Sequence, residues 1–141
     1  MQYHFKIYKE KTGYWAKCIE LQGCNTQADT LEELKINSTE ALNLFLNETF
    51  DSKTIFPLPK INYKGKDIIK VQVNPKIAFA QILRMERHKR GLSQKEVADM
   101  IGLKNLYSYQ RLESPKSANP ALLTISKIKQ IFHDLKLDLV V

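Results

Sequence analysis

Leu92 to Glu113 reads LSQKEVADMIGLKNLYSYQRLE, and this stretch decides the carboxyl half of the fold. Ser93 with Glu96 three residues on predicts a capping box: the hydroxyl takes the Glu96 N–H and the carboxylate returns to the Ser93 N–H. Val97, Ala98 and Ile101 then share one helical face, with the small Ala98 where a second helix crosses closely. Gly102 follows at the position after the helix where a positive φ costs glycine nothing. A second short helix opening near Asn105 turns Tyr109 and Leu112 inward. It leaves Leu106, Tyr107, Ser108, Gln110 and Arg111 on or near its exposed side. Two short helices about a sharp turn predict a helix-turn-helix.

The flanks of this stretch are helical too. Pro75 predicts the start of a helix to about Arg90, with Ile77, Phe79, Ile82, Leu83 and Met85 on its buried side. Arg84, Arg87, Lys89 and Arg90 are expected in water, placed for phosphate contact. Asn119-Pro120 predicts another start, cap then first-turn proline. Leu122, Leu123, Ile125, Ile128, Ile131 and Phe132 offer more apolar surface than one stripe requires, and Leu135 to Val141 (LKLDLVV) alternates like a strand. Pairing that strand with a second subunit would satisfy both, so Ile128, Ile131, Phe132, Leu135, Leu137, Leu139 and Val141 are the expected dimerisation residues.

Toward the amino end the period changes from helical to alternating. Tyr3, Phe5 and Ile7 alternate with His4, Lys6 and Tyr8, which predicts a strand with one apolar face. Lys9 to Gly13 reads as a turn, and Tyr14 to Leu21 resumes strand character. After Gln22-Gly23, Cys24 to Ala28 is long enough for a third strand. Thr30 caps a helix against Glu33, and Leu31, Leu34, Ala41, Leu42, Phe45 and Leu46 carry its apolar stripe to about Asn47. Phe50 to Gly65, with Pro57 and Pro59, suits a long loop, and Asp67 to Val73 is the fourth strand. The fold expected is α+β: a β-β-β-α-β domain over residues 1–74, then an all-α helix-turn-helix domain over 75–141 ending in a dimerisation strand.

Charge divides along the same line. Residues 1–74 carry ten Lys/Arg against nine Asp/Glu, and residues 75–141 carry twelve against six, so +6 of the net +7 lies in the second half. A basic half with a helix-turn-helix suits a polyanion, whose released counterions drive sequence-independent affinity. The start MQYHFKIYKEK is not a secretory signal, and no apolar run approaches the roughly 20 residues of a membrane span. A soluble, cytoplasmic protein is expected. Cys18 and Cys24, without a second Cys pair or a His at ligand spacing, read as buried reduced thiols. Neither a metal nor a cofactor is expected.

Two resemblances add to this. SQKEVADMIG followed by YQRLE resembles the helix-turn-helix of the Xre and phage-repressor family, in which a Gln opening the second helix touches phosphate and the third helix lies in the major groove. Counting from Gln94, Ala98 and Gly102 fall on the family's fifth and ninth places, but its fifteenth would be Ser108 where Tyr109 is the plausible core residue. One extra residue in the turn, around Leu103 to Asn105, accounts for the offset. The DNA-binding residues expected are Gln94, Lys95, Asn105, Tyr107, Ser108, Gln110 and Arg111, with Arg pairing guanine and Gln adenine.

The second resemblance lies in GYWAKCIELQGCNTQADTLEEL, followed by EALNLFL, which is similar to the N-terminal domain of HicB antitoxins. Leu21, Gly23, Cys24, Thr26, Ala28, Asp29, Thr30, Glu32 and Glu33 match that family's phrase. It implies a partial RNase H-like fold that is not a nuclease. It also implies an antitoxin that occludes a HicA-like, small, basic, mRNA-cleaving toxin and autoregulates its operon as a homodimer on palindromic operator DNA. The strands and helix offer no converging carboxylate set for two-metal hydrolysis, and His4, His88 and His133 are scattered, so no enzyme is expected. Tyr14, Trp15, Asn47, Glu48, Phe50 and Asp51 are the candidate toxin-binding residues, an aromatic centre with an acidic rim. The alternative is a ligand-sensing helix-turn-helix repressor with no toxin partner.

Overall fold

The computed structural model describes residues 1–60 and 63–141, so part of the expected Phe50 to Gly65 loop lies outside the described residues. The chain is mixed α+β and divides into two compact units. One comprises Met1–Asn47 with Phe56–Asn74, the other Glu48–Ile55 with Pro75–Val141. The segment Glu48–Ile55 thus belongs with the carboxyl half, a return that the contiguous division 1–74 and 75–141 does not include.

In the first unit, β1 (Gln2–Lys9), β2 (Tyr14–Cys18), β3 (Asn25–Ala28) and β4 (Ile68–Gln72) form a four-stranded sheet among the described residues. Its order is β3-β2-β1-β4, with every pair antiparallel. Gly13 closes the first hairpin at φ +85. A Cβ there would lie 2.6 Å from the Ala28 carbonyl oxygen, so only glycine fits. The alternation in β1 sends Tyr3 and Phe5 to one face, where both are fully buried beside Ala16, Cys18 and Val71. Helix α1 (Leu31–Phe45) covers that face with Leu34, Ser38 and Leu42, spaced by four. Ser38 is tolerated inside because its hydroxyl donates to the Leu34 carbonyl at 2.7 Å. Leu31, expected in the stripe, is 43% exposed. Thr30 accepts the Glu33 N–H as expected, but the Glu33 carboxylate takes the Asp29 N–H rather than that of Thr30.

The second unit is built on α2 (Pro75–Lys89), α3 (Gln94–Met100), α4 (Leu106–Gln110) and α5 (Leu122–Ile131). Ile77 to Arg84 are buried without interruption, so α2 is a core helix rather than one with a single stripe. The Ser93–Glu96 capping box forms in both directions and opens α3. Gly102, at φ +72, lets the Leu103 N–H reach back to the Ala98 carbonyl at 2.9 Å and its own N–H to Asp99 at 3.1 Å, which ends α3.

Two expectations at the carboxyl end are corrected. Helix α5 begins at Leu122 behind Ala121, with no side-chain cap, so Asn119 and Pro120 shape the approach rather than the first turn. Leu135 to Val141 is not a strand: Leu137–Leu139 is a 3-10 turn, closed by Leu139 N–H to Lys136 and Val140 N–H to Leu137. Local bonds three residues apart satisfy the backbone that a strand would have left for a second subunit.

Candidate nucleic-acid interface

The site is assembled beneath the surface. Glu113 is fully buried, and its carboxylate collects four donors: Arg87 Nε at 2.5 Å, Arg87 Nη2 at 2.9 Å, the Tyr109 hydroxyl at 2.7 Å and Gln94 Nε2 at 3.1 Å. Arg84 adds a bond to the Glu113 carbonyl at 3.0 Å and another to the Thr49 carbonyl at 2.8 Å. Burial lowers the pKa of Arg84 against the pull of Glu113. Burial works the same way on Arg87, but its Glu113 hydrogen bond and the Glu113 charge outweigh it and the shift is upward. Burial first, then the Glu113 charge, pushes the Tyr109 phenol well above its usual range, so it remains a neutral donor. One carboxylate therefore ties α2, α3 and α4 together, the paired and fully hydrogen-bonded arrangement that a buried charge requires.

This corrects the expectation for the α2 arginines. Arg84 and Arg87 are 2% and 7% exposed and cannot reach a phosphate. Arg90 donates to the Ile131 carbonyl and lies over the Phe132 ring at 5.1 Å. Lys89 and Arg90 are exposed, as expected of them. The spacing carried the signal: 80, 84 and 87, and 83 and 87, share the helix face that Leu83 and Ala80 bury.

Above this network the expected DNA-binding residues come together on α3 and α4. Gln94 opens α3 with its amide held by three partners, donating to Phe50 O at 2.6 Å and to Glu113, and accepting from Gln110 Nε2 at 3.2 Å. Lys95 is exposed and pairs with Asp99 at 3.1 Å. Asn105 caps α4, its side-chain oxygen accepting from Ser108 N–H at 2.8 Å and Ser108 Oγ at 2.9 Å, which commits both side chains locally. Tyr107 is 67% exposed, and the exposed Arg111 guanidinium lies 6.0 Å from its ring. Tyr107 and Arg111 are thus the groups presented with least prior commitment, while Gln110 is half-buried and tied to Gln94.

The other expected sets fare differently. Tyr14 and Trp15 are neighbours on a strand and take opposite faces. Tyr14 lines a polar pocket with Glu10, Thr12, Gln27, Asp29 and Glu33, whereas Trp15 stacks on Tyr8 with centroids 4.2 Å apart. Asn47 follows α1 at the end opposite Tyr14, while Glu48, Phe50 and Asp51 fall in the second unit. Asp51 accepts from the Thr49 hydroxyl at 2.6 Å, which holds its carboxyl below the usual range.

Of the dimerisation set, Ile128, Phe132 and Leu135 are interior, and Ile131, Leu137 and Leu139 are half-buried, leaving Val141 at 98% exposure. Two adjacent large apolar side chains of the second unit, Leu122 and Leu123, are 80% and 76% exposed. They stand at the start of α5 near an apolar cavity of about 440 Å³ lined by Phe79, Ala118, Ile125, Leu137, Val140 and Val141. In the first unit, Cys18 and Cys24 are free and buried, and burial raises their thiols to about 12 and about 11. No helix among the described residues is long and apolar enough to cross a membrane.

Over 61 residues the chain is 38% identical to the UPF0150 protein ssr1765 of Synechocystis sp., an overlap that takes in 41% of this chain and 75% of that protein. No family model matches the chain.

Proposed function

The chain belongs to the UPF0150 protein family, and on that premise we propose that it is the antitoxin of a toxin–antitoxin pair and the repressor of its own operon. The observation that carries the reading is that a chain of this family, with the HicB-like phrase from Leu21 to Glu33, also has a helix pair presenting Tyr107, Gln110 and Arg111. The first unit is read as the partial RNase H-like domain and the helix pair as a helix-turn-helix with α4 in the major groove. Arg111 then reads a guanine, Gln110 reads an adenine once Gln94 releases it, and Lys95 meets phosphate.

A small basic ribonuclease toxin fits the Tyr14 end of the first unit better than the Trp15 face. Glu10, Asp29 and Glu33 surround Tyr14, whereas Lys6 and Lys17 flank the Tyr8–Trp15 stack. Docking there occludes the toxin without any chemistry by this chain. Glu33 serves as a helix cap. Dimerisation is assigned to Leu122, Leu123 and Val141, the exposed apolar side chains beside the α5 cavity, and two-fold pairing sets operator half-sites about 34 Å apart. The protein acts in the cytoplasm, where operator and toxin are. The test is co-expression of the full chain with the small open reading frame adjoining its gene: the reading expects rescue of growth, and a toxic product that the chain does not neutralise refutes it.

A further inference from the structure

The face of the sheet opposite α1 has a composition of its own. Strand pairing puts Tyr8 opposite Trp15, and Trp15 opposite Gln27. The next row sets Lys6 opposite Lys17, and Lys17 opposite Asn25. Lys70 lies on the same face of β4, opposite His4. Lys17, Asn25, Gln27 and Lys70 are exposed, and Lys6, Tyr8 and Trp15 are partly so. The ammonium groups of Lys6 and Lys17 lie 5.3 Å and 5.6 Å from the Tyr8 ring, leaving that ring between two cations and the indole.

Two lysines directly opposite on adjacent strands repel, and an exposed sheet does not require them there. The carboxylate within reach of this row is Asp67, 3.9 Å from Lys6. Glu20 also lies near this face but is sealed against His4 at 2.5 Å. The row is therefore a stripe of cations with an aromatic pair beside it and amides along its edge. Cations spaced along strands meet successive phosphates, a ring stack accepts a base, and Asn25 and Gln27 offer donors and acceptors to base edges and 2′-hydroxyls.

We propose that this sheet face binds single-stranded RNA, with a base stacked on Trp15 and the backbone along Lys6, Lys17 and Lys70. Apart from Gln27, which also lines the acidic Tyr14 pocket, the residues of the site are distinct from those of that end and from the operator-binding residues of the second unit. Charge selects a polyanion over a basic protein, and the exposed aromatic and amide groups select a single strand over a duplex, whose bases are not free to stack.

Trp15 is the chain's single tryptophan, so its emission reports the contact directly. The experiment titrates full-length protein with an unstructured RNA of about 12 nucleotides and with DNA of the same sequence. It follows Trp15 fluorescence and the anisotropy of a labelled strand, with mixed-sequence duplex DNA as competitor. The expected result is saturable quenching and tighter binding of RNA than of DNA. Log affinity should fall against log salt with a slope of about −2, from about −0.7 for each of three phosphates. The pair Lys17→Glu with Lys70→Glu, both at exposed positions, should weaken binding at least tenfold and flatten that slope while circular dichroism is unchanged. Trp15→Phe should retain most of the affinity and Trp15→Ala lose about fivefold or more. The proposal is overturned by RNA binding that leaves Trp15 emission unchanged, by equal affinity for DNA, by displacement of the RNA by duplex, or by indifference to the lysine reversals.

Discussion

Replacing Glu113 by Gln isolates what the buried carboxylate does, because the two side chains have nearly the same volume. In the native unit both carboxylate oxygens accept: Oε1 from Arg87 and Tyr109, Oε2 from Arg87 and Gln94. The amide keeps one acceptor and turns the other into a donor facing donors, so two bonds are lost and the buried Arg87 guanidinium faces no charge. Removing one partner of a buried pair costs roughly 3 to 5 kcal/mol. About 3 suits an amide that still accepts from one side. For a unit of this size each kcal/mol moves the midpoint by roughly 4 to 8 °C. Glu113→Gln should therefore lower the melting temperature of the second unit by roughly 12 to 24 °C. The exposed pair Lys95–Asp99 provides the contrast, since Lys95→Ala should change stability by less than about 0.5 kcal/mol. Circular dichroism melts, with hydrogen exchange at the Tyr109 and Leu112 amides, read the effect. A Glu113→Gln midpoint within about 3 °C of the parent would refute the claim that this carboxylate holds the three helices together.

Three further outcomes are expected. Arg111→Ala should weaken operator binding by roughly 5- to 150-fold, the equivalent of about 1 to 3 kcal/mol, and leave the melting temperature unchanged because the side chain is exposed; gel shift and a thermal melt on one preparation check both. Leu122→Glu with Leu123→Glu should give a folded monomer by light scattering, since neither side chain contributes to its own unit's core. Cys18 and Cys24, with thiols raised to about 12 and about 11 from 9.0, should react slowly with a disulfide reagent near neutral pH and readily in denaturant. Because the folded values lie above the unfolded ones, the stability linked to these thiols is present below pH 9 and lost as pH rises toward 11 and 12; urea midpoints across that range follow the loss.

Much of this fold is written locally. Caps, turns and strand alternation depend on residues within a few positions of one another, which is why Ser93 with Glu96, Asn105, Gly102 and the β1 alternation are legible without a structure. The Glu113 network is not local: Arg84 and Arg87 read as solvent-facing charges until Glu113, 29 and 26 residues away, brings its carbonyl to Arg84 and its carboxylate to Arg87. Their positions within the buried run of α2 are the local signal, which competes with the cost of taking arginine out of water. LKLDLVV satisfies an alternating pattern, but seven residues also suffice for a 3-10 turn, and local hydrogen bonds decided between them. Tyr14 and Trp15 are adjacent in sequence, which on a strand is the reason they diverge. The stripe of Lys6, Lys17 and Lys70 became visible only with the register, since it joins three strands that sequence distance keeps apart.

The most direct measurement is inhibition of RNA cleavage by the purified product of the adjoining reading frame, titrated with full-length chain. The account predicts that cleavage falls linearly to zero at a fixed molar ratio, with a complex of that ratio in light scattering, and that Asp29→Lys with Glu33→Lys abolishes inhibition while the chain stays folded. Cleavage that continues in excess chain, with no complex formed, would contradict it.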